Sequence, residues 1–136
     1  MTLNGISGAA VVRAADSMLY ALGGTEISVM FPSLTLPNDP SAQLGMVDPG
    51  VEEVPFSPVV VRILETASTG PRRRLEFLIS GATVTEELTS RNVATAEALF
   101  ASALGILYQG DLLHIENVVT EYFADAAYLC RVLAVE

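Results

Sequence analysis

Between Ser7 and Leu22 apolar residues return every three or four positions, at Val11, Ala14, Ala15, Met18, Leu19 and Leu22. That is the spacing of one helix face, and Gly23-Gly24 ends it. Arg13 and Asp16 fall on the expected outer face, close enough for a weak surface pair but read first as a solvated face. The period then changes to two: Thr25 to Phe31 sets Ile27, Val29 and Phe31 against Glu26, Ser28 and Met30, the pattern of a half-buried strand. Pro32, Pro37, Pro40 and Pro49 forbid a continuous ladder over the next stretch, so residues 32–50 read as a proline-rich extended arm or loop, the chain's foremost contact element.

Val51 to Leu64 is strand-like, but Pro55 and Pro58 predict either a sheet-edge position or a bulge ahead of Val59-Val60-Val61. A turn follows, and Arg74 to Ser80 forms the second arm of a hairpin with Leu75, Phe77 and Ile79 inward. Gly81 is expected to bulge this strand before Ala82 to Thr85, with Glu86 to Asn92 as a polar connection. A second helix, Thr95 to Leu104, carries Ala96, Leu99, Phe100, Ala103 and Leu104 on one face, with Thr95 as cap and Glu97 in its first turn. A Gly110-Asp111 turn would pair Tyr108 with Leu113 and Ile106 with Ile115. Ala126 to Val135 is apolar on both faces except at Arg131, which predicts a central strand, or one lying under a helix and a neighbouring subunit. The expected fold is a single α+β domain with a mainly antiparallel sheet of about five to six strands. An N-terminal helix precedes that sheet, and a second helix precedes the C-terminal hairpin.

Composition adds constraints to this pattern. A chain of 136 residues, 51% apolar and 17% charged, has enough apolar surface to offset its ordering entropy as one domain. Its polar coverage is thin, which predicts a homo-oligomer or association with other protein subunits. A net charge of -9 repels phosphate, so neither nucleic acid nor a membrane surface is an expected partner. The lone cysteine, Cys130, excludes an internal disulfide or a multi-cysteine zinc site, and its apolar surroundings predict a buried, inert thiol. No basic region precedes the first apolar residues, and the uncharged run Ala98 to Gly110 is too short to cross a bilayer, so a cytoplasmic location is expected.

Candidate chemistry is sparse. His114 is the sole histidine, and with Glu116 and Tyr108 it marks the one candidate ligand pocket. Asp39, Asp48, Glu52 and Glu53 surround the arm without a recognised cation-loop spacing. There is no G-x-S-x-G elbow, and Gly5 and Gly8 lack the lysine of a phosphate loop. No cofactor, metal site or enzymatic activity is expected. Arg72-Arg73-Arg74 opposes the overall charge and reads either as a solvated hairpin tip or, functionally, as an interface knob for an acidic neighbour, with Pro37 and Pro40 of the arm as further contact residues.

The N-terminal helix, the extended arm, and a final helix followed by the Gly110-Asp111 hairpin and a terminal apolar strand resemble the layout of small phage head-tail connector and tail-assembly proteins. The segments Tyr108 to Val118 and Tyr128 to Val135 carry most of that resemblance, which implies a role in joining rings of a phage-like particle. The alternative expectation is a small-ligand binding domain, or an unusual enzyme, with its pocket near His114.

Overall fold

The computed structural model describes residues 7–32, 50–65 and 73–136. Its elements are α1 (Gly8–Ala21), β1 (Thr25–Pro32), β2 (Val51–Glu65), β3 (Arg74–Ser80), α2 (Gly81–Arg91), α3 (Ala96–Ala101), β4 (Gly105–Tyr108), β5 (Asp111–Phe123) and β6 (Ala126–Val135). The expected α+β domain is present. Its strands form a closed antiparallel barrel in the order β1-β2-β3-β6-β5-β4, with β4 pairing back onto β1.

The two-residue period gives each of these strands one face for the barrel interior. Ile27, Val29 and Phe31 of β1, Val54 and Phe56 of β2, and Leu75, Phe77 and Ile79 of β3 all point inward and are buried. Val84, Ala96, Leu99 and Phe100 from α2 and α3 join the same core. Phe100 packs against Phe56 with ring centroids 5.9 Å apart, and Phe77 meets Tyr108 edge-on at 5.7 Å. Each aromatic ring withdrawn from water in this way contributes about 2–3 kcal/mol.

The prolines of β2 do not mark an edge, since β2 lies between β1 and β3. They are absorbed by the predicted bulge: β1 advances from Thr25 to Ile27 while its partners run from Val59 to Phe56, so β2 carries an extra residue at Ser57-Pro58. The last strand is central, between β3 and β5, with α1 and α2 packed against it.

Three expectations need correction. Gly81 opens α2 instead of bulging a strand, because Val84 and Leu88, four residues apart, reach the core from one helix face, and Glu87 and Arg91 pair at the same spacing. The turn after β4 is Gln109-Gly110, both with positive φ, so Tyr108 pairs with Asp111 and Ile106 with Leu113. On α1 only Leu19 is buried, while Met18 and Leu22 are exposed, and Asp16 turns toward the barrel. Thr95 caps α3 as expected by accepting from Ala98, and Ser7 likewise caps α1 by accepting from Ala10, but α3 ends at Ala101 and Leu104 is exposed beyond it. Among the described residues, no helix is long and apolar enough to cross a membrane.

Candidate functional site

Strand alternation sends Arg62, Glu76, Arg131 and Glu121 outward, because Val61, Phe77, Val132 and Val118 occupy the core side of the same strands. Closure then sets β2, β3, β6 and β5 side by side, and the four charges join into one row. Arg62 meets Glu76 at 2.8 Å, Glu76 meets Arg131 at 3.2 Å, and Arg131 meets Glu121 at 3.5 Å. Glu76 is 13% exposed between its two arginines, whereas Arg62 is 56% exposed. Sequence reasoning had singled out only Arg131 of this row. The others looked like ordinary polar positions until the strand order was known.

The arginine cluster at the start of β3 is partly engaged within the chain. Arg73 donates to Asp111 at 2.6 Å and to Glu136, and Arg74 pairs with Glu116 at 2.6 Å. The hydrogen bond to Glu136, with further attraction from Asp111, raises the Arg73 guanidinium above its ordinary value. Arg72, Pro37 and Pro40 lie outside the described residues.

The structure sets Tyr108 apart from His114 and Glu116. His114 is exposed on the outside of β5, Glu116 is committed to Arg74, and Tyr108 packs toward the core against Phe77. β5 carries an extra residue between Ile115 and Asn117, opposite Ala134 and Leu133, and Glu116 in this bulge reaches Arg74 on the outer face. Among the described residues, no group of three or more His, Cys, Asp or Glu side chains could hold a metal ion.

The acidic residues around the arm are likewise dispersed. Asp39 and Asp48 lie outside the described residues, Glu53 accepts from Ser28 at 2.7 Å, and Glu52 pairs with Arg91 at 3.0 Å. Arg91 also meets Glu87 at 3.2 Å and sits 4.3 Å above the Phe31 ring. Its anchoring role was hidden in sequence because residues 86–92 read as a connection.

A mainly apolar groove of about 560 Å³ opens where α1, α2 and the β5–β6 hairpin meet, lined among others by Val12, Val84, Leu88, Tyr122 and Ala126, with Cys130 also in its wall. Burial pushes the Cys130 thiol up to about 12, so it is protonated and a poor nucleophile at neutral pH. The expected inert thiol is what the barrel contains. No protein-family model, curated protein or solved structure matches the chain.

Proposed function

We propose that this chain is a non-enzymatic structural or assembly subunit of a phage-like particle, acting at a head-tail or tail joint. The observation that carries the assembly reading is exposed apolar surface on elements whose buried residues already complete the barrel core. Met18 and Leu22 of α1 are 63% and 66% exposed, Ile63 of β2 is 63% exposed, and Tyr122 of β5 is 60% exposed. Such residues favour a protein partner over water. The phage-like setting rests on the layout of N-terminal helix, residues 32–50 and C-terminal strands.

Native mass spectrometry and light scattering across a concentration series test the reading. Discrete multimers, reduced by Met18→Asp with Leu22→Asp, are expected. A strict monomer that also takes no partner from a phage-producing host lysate overturns it.

A second reading, small-ligand binding, is supported by the groove beside α1 and α2, whose volume suits a small apolar molecule. Its test is a thermal-shift screen with hydrophobic probes, in which Ala82→Trp, at a groove-lining position, should abolish any shift. No shift in the unaltered protein removes this reading.

A further inference from the structure

We infer that the outer face of β2, β3, β6 and β5 is a self-association surface that receives a second copy of this chain in a two-fold arrangement. This deepens the assembly reading and rests on it.

The order of charges supports this inference. Across the four strands the row runs Arg62, Glu76, Arg131, Glu121, with adjacent members in contact. A two-fold axis in the plane of contact, perpendicular to the row, reverses the second copy. Arg62 then faces the partner copy's Glu121, and Glu76 faces its Arg131, so every charge meets its opposite. A two-fold interface requires a patch that is complementary to itself, and an alternating row with opposite ends satisfies that requirement.

Two further observations favour a second copy. The chain carries a net charge of -9, so two copies repel each other over most of their surfaces. On this face the row is locally neutral, and Arg74 beside Glu116 extends that balance, so acidic copies can approach here without juxtaposing like charges. Apolar groups also interleave with the row. Val119, opposite Arg131 in the β5–β6 register, is 43% exposed, and Leu78 and Leu133 on the neighbouring strands are only half-buried. The arginines therefore supply register and the aliphatic side chains supply area to remove from water.

Complementary charge reversal, read by sedimentation velocity, tests the proposal. One variant carries Arg62→Glu with Arg131→Glu and the other Glu76→Arg with Glu121→Arg. Each alone presents four like charges to its own copy, so self-association should weaken at least about tenfold. Mixed, the two variants should form a heterodimer. Circular dichroism and melting confirm that each variant folds. Val119→Arg, which leaves all four ion-pairing residues in place, should weaken the wild-type dimer as well. If Val119→Arg and folded charge variants associate like the wild type, or the mixture gives no heterodimer, this face is not the contact and the assembly reading stands on other surfaces. A wild-type chain that stays monomeric and takes no partner overturns both.

Discussion

The carboxylate of Asp16 accepts a hydrogen bond of 2.6 Å from the hydroxyl of Ser80, fastening α1 to the last residue of β3. Ser80 is fully buried, while Asp16 keeps partial access to solvent. The two partners therefore respond unequally to truncation. Ser80→Ala removes the donor and lets Asp16 draw on water, which should cost about 1 kcal/mol. Asp16→Ala strands a buried hydroxyl and should cost more, about 1–3 kcal/mol. Urea denaturation of both single variants and the double variant tests this order. Equal and additive losses would show that the bond does not hold the helix.

Gly81 supplies a case in which local propensity and packing disagree in sign. It is the first residue of α2, and replacing a helical glycine with alanine usually stabilises by about 1 kcal/mol. Here a Cβ would overlap the backbone carbonyl of Ala127, with the carbonyl carbon only 2.6 Å away. The obstruction is backbone within β6, which cannot swing aside. Gly81→Ala is expected to destabilise by about 1–3 kcal/mol and to lower the melting temperature. A stabilised variant would mean that α2 sits further from β6.

Much of the barrel could be read from alternation. Ile27, Val29 and Phe31, then Leu75, Phe77 and Ile79, are the residues that a period of two assigns to the core, and all are buried. Closure itself could not be read in this way, because strand order depends on pairings between residues far apart, such as Leu75 with Ala134. The same ignorance of pairing hid the row from Arg62 to Glu121, whose members belong to four different strands. Residues 81–91 misled for another reason. Their threonines and valine favour extended chain, and the helix forms because Val84 and Leu88 find the core from one face. Simple alternation past His114 also missed the extra residue that β5 carries between Ile115 and Asn117.

The β5–β6 hairpin turns through Ala124 and Asp125, with φ of 48° and 62°. Two successive positive φ values are the signature of a tight hairpin turn whose twist matches its strands, and alanine is poorly suited to the first of them. Ala124→Asn retains a side chain that tolerates this region and should stabilise by about 0.5–1 kcal/mol. Thermal melting of the variant tests the expectation. An unchanged or lower melting temperature would show that the alanine conformation carries no cost.

Cys130 makes stability depend on pH at the alkaline end. Its thiol has an ordinary value of 9.0, recovered on unfolding, and is pushed up to about 12 by burial in the barrel. Below pH 9 both states hold the proton and the thiol adds no slope. Between these values the unfolded chain releases its proton while the folded chain keeps it, so fewer protons are bound in the unfolded state and stability falls as pH rises. The slope approaches about 1.4 kcal/mol per pH unit and ends where the folded thiol itself ionises. Cys130→Ala removes this contribution, although it costs some packing at every pH. The difference in unfolding free energy between wild type and variant should therefore be constant from about pH 7 to 8 and shrink steadily above pH 9. Taking the difference cancels the titration of tyrosines common to both proteins. Under native conditions the wild-type thiol should react with a disulfide reagent only as fast as the barrel opens. Rapid labelling of the folded protein, or a difference that does not change with pH, would place Cys130 in contact with solvent instead of in the barrel wall.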